Sequence, residues 1–447
     1  MKKIKLFSGA ALLFFSFNSN AQEYRKLAVL NSAFQDVNDN GDAVSYGLIY
    51  SWSADTYVPK EQGIYRLRGI NNNGDMVGSI ISGNLMLAAY KLKGSNEWVT
   101  IPFPENTTSS ATFTESIPYQ ISENGRYVAG QMGIFDETDN TDYAVPFVYD
   151  IQTSTTVRAS NPDFVNGAFY TVNDSGNAAG WVDIPTPSTR RVPILFSNSG
   201  VFKYITKNGN LPTVVNNEVK GINKNGVAVG FFDNLPFIYD PVSYSYTEFA
   251  NPNPAVYAGG AFSSISDDGT VVGMWFKPQQ ANRYAMIYNP GLGTQPVDLK
   301  TYLQDHGATV NSTNESMGAA AAISPNGKFI AGFEDGPAVI AYGWIAYIPE
   351  LVLANEDTGI GNANVKFYPN PVIDDLNVVL KVGKSGTAKI QLYDFTGKLI
   401  TSQERNLSAG SNNFKINVAK AAKGTKNLIL VINTPEGNRI TKKLIVK

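Results

Sequence analysis

One short motif recurs seven times and constrains the fold more than any other feature of the sequence. Each copy reads aliphatic, Asn or Ser, any residue, Asn, Asp or Ser, Gly, with Val, Ala or Ile three positions later. The spacing averages about 48 residues, which indicates a repeat protein whose units pack on their neighbours. The turn glycines of the seven copies are Gly41, Gly74, Gly125, Gly176, Gly226, Gly269 and Gly327.

The motif has the composition of a hairpin turn. Asn or Ser can accept a hydrogen bond from the backbone two residues on, and Gly supplies the positive φ that returns the chain to the next strand. In "INNNGDMVG", from Ile70, we therefore interpret the motif as backbone geometry, with Asp75 exposed. A small residue after each copy indicates a close approach of neighbouring backbone. These small residues are Ser45, Gly78, Ala129, Gly180, Gly230, Gly273 and Ala331.

Each repeat contains about four short strands, which predicts an all-β chain. We expect a seven-bladed β-propeller within residues 22–350, the repeat body, with the strand near Tyr24 completing the last blade. Six or eight blades remain open, and a β-solenoid is the competing architecture. The segment "VDLKTYLQDHG", Val297 to Gly307, is the one expected helix.

The N-terminus has the pattern of a secretory signal peptide over residues 1–21. Three lysines precede a short apolar run from Leu6 to Phe17, and Ala21 suits the last position before cleavage, so the mature chain would begin at Gln22. The run is too short to span a bilayer, which takes roughly 20 residues. The chain contains no cysteine, which excludes a disulfide framework.

Charge separates the body from the tail. Residues 365–447 carry 14 Lys and Arg against 5 Asp and Glu, whereas the whole chain has a net charge of −2, so the body is strongly acidic. An acidic body argues against nucleic acid as a partner, because binding phosphates requires positive charge. The lysines of the tail alternate with apolar residues and indicate a solvated strand face.

The repeats, "IN..G..VG" followed by an aromatic strand, resemble the HAF-type repeats of bacterial extracellular proteins. The block "VDLKTYLQDHG" followed by "AAAISPNGKFIAG" adds to this resemblance. The resemblance implies secretion and a propeller-like body. It implies no known chemistry.

The tail segments "VKFYPNPVIDDLNVVL", "IQLYDFTGKLI" and "NFKINVA", with the closing "KKLIVK", resemble the C-terminal sorting domain of type IX secretion substrates in Bacteroidetes. The segments of the tail also alternate apolar and polar residues between turns, which predicts a small antiparallel β-sandwich over residues 365–447. The resemblance implies partnership with the secretion machinery, export across the outer membrane, removal of the tail, and release or surface attachment. Residues 351–364 are the expected linker and cleavage region. The positions that carry the resemblance are Tyr368, Pro369, Asn370, Pro371, Asp375, Leu376, Tyr393, Asp394, Gly397, Lys398 and Lys443.

The sequence offers few residues for catalysis or for cofactors. His306 is the single histidine and no Gly-x-Ser-x-Gly elbow accompanies it, so a catalytic triad is disfavoured, as is a multi-histidine metal site. Calcium is disfavoured because the turn copies do not keep the carboxylates that a cation loop needs. We therefore assign no catalytic, metal or cofactor residue. Four carboxylates could form a glycosidase pair but are expected in solvated loops: Asp183, Asp233, Glu334 and Asp335.

Three functions stay open for the body. The first is a secreted or surface-displayed protein that binds a glycan or another protein through loops on one face. The second is a polysaccharide hydrolase or lyase that uses carboxylates, and the third is a structural surface or matrix component. Aromatic residues suit sugar stacking, although core packing explains them equally well. The tryptophans are Trp52, Trp98, Trp181, Trp275 and Trp344.

Overall fold

The computed structural model describes most of the chain after the signal segment. The described residues form two compact units. The first lies within Met1–Ile287 and Asp298–Leu351, and the second lies within Tyr288–Val297 and Val352–Lys447. The expected signal peptide and linker lie outside the described residues. The residues that the structure describes are 22–104, 111–138, 140–158, 166–185, 189–277, 283–312, 317–335, 341–349, 365–368, 372–393, 399–418, 427–436 and 439–446.

Nearly all regular structure is β-strand, which confirms the all-β prediction. The helix expected near Val297 is present as α1, Leu299–Asp305, and the side chain of Asp298 accepts a hydrogen bond from Thr301 N at its start. The strands up to the tail are β1 Glu23–Leu30, β2 Phe34–Val37, β3 Ala43–Ser45, β4 Leu48–Ser51, β5 Thr56–Pro59, β6 Ile64–Ile70, β7 Met76–Ser82, β8 Leu85–Lys91, β9 Val99–Thr100, β10 Ala111–Ile121, β11 Tyr127–Asp136, β12 Thr141–Asp150, β13 Thr155–Arg158, β14 Gly167–Val172, β15 Ala178–Ile184, β16 Arg190–Phe196, β17 Phe202–Tyr204, β18 Glu218–Ile222, β19 Ala228–Phe232, β20 Leu235–Asp240, β21 Ser245–Glu248, β22 Gly259–Ile265, β23 Val271–Phe276, β24 Arg283–Tyr288, β25 Val297–Asp298, β26 Ala319–Ile323, β27 Phe329–Asp335 and β28 Ala341–Tyr347.

The strands pair in sets of four consecutive members. The sets β2–β5, β14–β17, β18–β21 and β22–β25 are separate sheets, and β6–β9 and β10–β13 share one sheet through a single parallel pairing of Glu115 with Met86. In the remaining sheet, β1 lies beside β28, followed by β27 and β26. Glu23 pairs with Tyr347, so the strand near Tyr24 completes the last sheet, as expected from the sequence.

The first strand of each set contacts the first strand of the next. The contacts run in the order β2, β6, β10, β14, β18, β22 and β26, and β26 contacts β2 again. Buried apolar side chains lie between neighbouring sets; one cluster, for example, joins Phe34 and Tyr50 to Phe329. Because a four-stranded sheet exposes two faces, packing against both neighbours buries the apolar residues of each set.

The hairpin turns follow the predicted geometry. In the first copy Gly41 has φ of 76° and its N–H donates to the carbonyl of Asn38. All seven turn glycines have φ between 74° and 86°. The side chain of Asn38 accepts hydrogen bonds from the N–H groups of Asn40 and Asp42, which explains Asn at the first turn position.

A β-bulge lies in the first strand of every set, just before the turn. In β14, Phe169 pairs with Gly180 and Thr171 with Ala179, which leaves Tyr170 without a partner. A bulge bends the strand and re-aims a side chain. The bulged residues are Gln35, Arg68, Tyr119, Tyr170, Lys220, Ser263 and Ala321.

The bulge explains the small residue after each turn. A Cβ on Gly180 would clash with the carbonyl oxygen of Ala168, two residues before the bulge. The sequence-based alignment is wrong by one residue in two copies, where Gly130 and Gly332 take this place instead of Ala129 and Ala331. Those two turns are one residue longer than the others.

The C-terminal unit contains two sheets, in the orders β29-β30-β33 and β32-β31-β34-β35. Leu376, Val378 and Leu380 alternate along one strand with half-exposed residues, and they share one apolar cluster with Ile390 and Leu430 of the other sheet. The strands are β29 Val365–Tyr368, β30 Asp375–Val382, β31 Gly386–Tyr393, β32 Leu399–Leu407, β33 Gly410–Asn417, β34 Asn427–Asn433 and β35 Arg439–Ile445.

Candidate functional site

A cavity of about 230 Å³ lies where the first strands and their turns converge. Its wall includes Asp36, Gln120 and Thr171, each of which directly follows a bulged residue. It also includes the residues at the third position of the turn motif, where any residue occurs. The turn residues at that position form what we call the turn ring. Its members are Asp39, Asn72, Glu123, Asp174, Lys224, Asp267 and Pro325.

Side chains of the turn ring bind the backbone of the preceding turn. Asn72 Oδ1 accepts a hydrogen bond from Asp39 N at 2.7 Å, and Glu123 Oε2 accepts one from Asn72 N at 3.0 Å. Across the junction of the last and first turns, Asp39 Oδ1 accepts one from Asn326 N at 2.8 Å. The carboxylates therefore satisfy backbone donors that the turns leave unpaired.

The asparagine that opens four of the turns adds a second set of links. Asn38 Nδ2 donates to the carbonyl of Asn71 at 3.0 Å, and Asn71 Nδ2 donates to that of Ser122 at 3.1 Å. Asn173 and Asn223 make the same contact with the turn that follows each of them. Serine is too short for this contact, so Ser122 donates within its own turn, to Asn124 Oδ1.

Two carboxyl groups at the cavity have strongly raised pKa values. Burial raises the pKa of Asp36 to about 7, although its carboxylate accepts hydrogen bonds from Ile70 N and Val37 N. Burial, and then the negative charge of Asp36, raise the pKa of Glu123 to about 9. This part of the cavity therefore holds protons at neutral pH.

The bulged residues lie in the strands beside the cavity and have different chemistry; of the seven, Lys220 also lines the cavity. Tyr119 and Tyr170 pack edge to face with ring centroids 4.8 Å apart, and Lys220 Nζ lies 3.9 Å from the Tyr170 ring centroid. The guanidinium of Arg68 lies 5.1 Å from the Tyr119 ring centroid. All seven bulged residues are half-exposed, whereas the residues beside them in the strands are mostly buried.

Several cations of the body are paired with buried carboxylates. Lys26 forms an ion pair with Glu334, which is fully buried. Arg191 forms one with Glu218, and its guanidinium stacks on Trp181 at 3.8 Å.

The carboxylates singled out from the sequence do not converge on one another. Asp183 lies in β15, 4.0 Å from Arg191, and burial raises its pKa; Asp233 lies in the turn between β19 and β20, where it accepts hydrogen bonds from two backbone N–H groups. Glu334 pairs with Lys26, and Asp335 ends β27. The expectation of loop positions is wrong for Asp183, Glu334 and Asp335, because all three lie in strands.

Asp75 also departs from expectation. It is 6% exposed, and its carboxylate accepts hydrogen bonds from Asn71 Nδ2 and Lys93 N, so it belongs to the turn and not to the surface. His306 ends α1, where its Nδ1 donates to the carbonyl of Tyr302 at 2.7 Å. Within the described residues, no group of three or more His, Cys, Asp or Glu is placed to hold a metal ion.

The tryptophans of the body pack largely in its interior. Trp344 is fully buried and donates to the carbonyl of Met317, and Trp181 and Trp275 are buried as well. Trp52 and Trp98 are half-buried. The position of these five side chains agrees with core packing.

The tail positions lie at the ends of strands. Tyr368 ends β29 and is half-exposed, Tyr393 ends β31, and Lys443 lies in β35. Asp375 begins β30 and accepts a hydrogen bond from Asn417, and Leu376 beside it is fully buried. Pro369, Asn370, Pro371, Asp394, Gly397 and Lys398 lie outside the described residues.

The sequence analysis missed both the turn-ring residues that line the cavity and the bulged residues in the strands beside it. The variable turn position was treated as unconstrained, and the bulged position lies two residues before each motif. A signal for the second set was present, since a residue such as Arg68 or Lys220 interrupts an otherwise apolar strand at a constant offset from the turn glycine.

Residues 366–447 match the family described as secretion system C-terminal sorting domain. This match confirms the type IX sorting tail, which indicates export to the cell surface or secretion. Within the described residues, no helix is long and apolar enough to cross a membrane. No protein of established function shows significant sequence similarity to the chain.

Several solved structures are similar to this chain at very low identity. An oligogalacturonate lyase from Vibrio parahaemolyticus is 11% identical with a TM-score of 0.45, covering 74% of this chain and 98% of its own. The β-propeller domain of the Trilobed protease from Pyrococcus furiosus is 9% identical with a TM-score of 0.44, covering 70% and 92%. Acylaminoacyl peptidase from Pyrococcus horikoshii is 9% identical with a TM-score of 0.46, covering 79% and 59%. These likenesses are too distant to transfer a substrate or a reaction.

Proposed function

Because the chain ends in a type IX sorting domain, we propose that it is an exported binding protein whose body is a seven-bladed β-propeller. The cyclic succession of contacts from β2 to β26 and back to β2 supports this architecture, as does the pairing of β1 with β28. The seven matching turns and bulges support seven blades and the HAF-type resemblance. We further propose that the two sheets of the tail form a β-sandwich.

Export through the tail would end in its removal. The linker, residues 351–364, is the proposed cleavage region, and the released body stays at the cell surface or enters the medium. The tail carries its own apolar core, which supports a separate role from the body. Bacteroidetes are the expected source, since the type IX pathway belongs to that group.

The binding role rests on the bulged residues. The bulges bring tyrosine rings and cationic side chains of adjacent blades together, and this combination suits sugars or protein surfaces. A hydrolytic enzyme would need carboxylates that are free to meet a substrate. In the cavity, Asp36 and Glu123 already accept backbone hydrogen bonds, which supports a structural role.

A single screen tests binding against catalysis. The purified protein is applied to a polysaccharide and oligosaccharide array, while the same glycans are assayed in solution for new reducing ends or unsaturated products. Binding without turnover is the expected result. Turnover would refute the binding-only proposal in favour of a hydrolase or lyase, and an absence of binding to every glycan would favour a protein partner or a matrix role.

A further inference from the structure

Two arginines at the junction of three four-stranded sets differ from the paired cations described above. Arg66 and Arg68 lie in β6 and have no carboxylate oxygen within ion-pair distance among the described residues. The Nε of Arg68 is buried without a hydrogen-bond partner. Together with three tyrosines they form what we call the tyrosine–arginine cluster, which consists of Tyr46, Tyr65, Arg66, Arg68 and Tyr119.

The tyrosine rings hold both guanidinium groups in place. The centre of the Arg68 guanidinium lies 4.9 Å from the Tyr46 ring and 5.1 Å from the Tyr119 ring, and its Nη1 donates to the Tyr46 hydroxyl at 3.4 Å. Arg66 lies 5.2 Å from the Tyr46 ring and 5.0 Å from the Tyr65 ring. A guanidinium stacked on a ring keeps the N–H donors at its edge available for a planar anion.

Two like charges against one ring repel each other unless an anion joins them. Elsewhere in the body the chain supplies that anion, as Glu334 does for Lys26 and Glu218 for Arg191. The charges of Glu115 and Glu218 contribute to the raised pKa of Tyr119, but among the described residues neither carboxylate forms an ion pair with Arg66 or Arg68. The cluster therefore carries a positive charge of the kind that an anionic ligand neutralises.

The exposed rings indicate what carries the anion. Tyr46 is 37% exposed and Tyr65 is 45% exposed, so two flat apolar surfaces lie beside the unpaired cations. A pyranose ring stacks on such a surface through its C–H face. Resting on the binding role proposed above, we propose that the tyrosine–arginine cluster binds an acidic glycan, with the carboxylate of a uronic acid at the arginines and its ring against Tyr46 or Tyr65.

The test compares two ligands that differ only in the carboxylate. The probes are a β-1,4-linked glucuronic acid hexamer and its neutral counterpart cellohexaose, and the affinity of the full-length protein is measured by isothermal titration calorimetry. The acidic hexamer is expected to bind and cellohexaose to bind at least about tenfold more weakly, equivalent to the loss of one good charged contact. Equal affinities would overturn the proposal.

Variants locate the site. Arg68→Gln and Arg66→Gln should each weaken the acidic hexamer by about tenfold or more, and Arg68→Lys should recover part of the affinity because it keeps the charge without the planar fork. Arg405→Gln is the matched control, since Arg405 lies 4.9 Å from the Phe414 ring in the tail and should not matter. Unchanged thermal midpoints show that the variants fold. Tyr65→Ala removes one ring of the cluster and leaves every charged residue in place.

The outcomes separate this proposal from the general binding role. If glycans bind but neither the carboxylate nor the arginines matter, the cluster assignment is wrong and the binding role stands. If no glycan binds, both the cluster assignment and the proposal that the body binds sugars are wrong. Binding of a poly-glutamate peptide in preference to the acidic hexamer would replace the glycan with an acidic peptide as the ligand.

Discussion

Replacing Glu123 with Gln should make the body more stable at neutral pH and leave it nearly unchanged in acid. The pKa of this carboxyl is raised from 4.5 to about 9, mainly by burial and then by the charge of Asp36. The folded protein thus keeps a proton that the unfolded chain releases above pH 4.5, and stability falls as pH rises. From pH 4.5 to pH 7 the cost grows by about 1.4 kcal/mol per pH unit, or about 3 kcal/mol in all.

Gln cannot ionise, so it avoids this cost. Its oxygen can still accept the hydrogen bond from Asn72 N that Glu123 accepts at 3.0 Å. The gain at pH 7 should approach but not exceed about 3 kcal/mol, because protonation of Asp36 relieves part of the same repulsion.

The assay is urea unfolding at pH 5, 6, 7 and 8, followed by tryptophan fluorescence. All five tryptophans lie in the body, so the signal reports the body without the tail. Glu97→Gln, at an exposed position, is the matched control and should leave the pH profile unchanged. A constant difference between Glu123→Gln and the parent protein across this range would refute the assignment of a raised pKa.

Three further results are expected. Asn173→Ala removes the 3.2 Å link to the next turn and the side-chain oxygen that accepts two hydrogen bonds within its own turn, so urea unfolding should show a loss of about 1 to 3 kcal/mol. Asn173→Ser should lose less because its hydroxyl can still accept within the turn, and equal losses would contradict the role of that acceptor. Gly180→Ala should cost about 1 to 3 kcal/mol because its Cβ meets the carbonyl of Ala168, whereas Gly47→Ala, with open space around it, should be neutral in the same measurement. Deleting residues 365–447 should leave the protein in the periplasm on cell fractionation, and unchanged export would contradict the role of the tail.

The sequence predicted the parts of the fold that repeat. Strand pairing and hairpin turns depend on local apolar patterns and on Gly and Asn, so the turn at Gly74 could be located without coordinates. The bulge at Arg68 was not located, because a bulge changes register through one extra residue, and its one trace in the sequence is a polar side chain at a constant offset from the turn glycine. Alignment on the turn glycine alone also missed that Gly130, and not Ala129, meets the neighbouring carbonyl.

The candidate site was harder to predict for a different reason. Glu123 and Asp36 are far apart in sequence, and their shared effect on pKa arises only because separate turns meet at one cavity. A carboxylate near a turn looks solvated when it is considered within its own hairpin. The burial of Asp75 shows the same effect within a single copy, since its partners include the backbone N–H of Lys93 in the turn after β8.

The pairing of Glu23 with Tyr347 determines when the last sheet of the body can form during synthesis and transport. A chain that emerges from its N-terminus presents β1 first, yet the partner of β1 emerges only after the whole body has followed. Contacts so distant in sequence form slowly, because a long loop must be closed before they contribute. The last sheet of the body can therefore form only after β28 has appeared, while residues 365–447 still follow. Folding of the cargo and display of its export signal are thereby separated by the time needed to add one short segment.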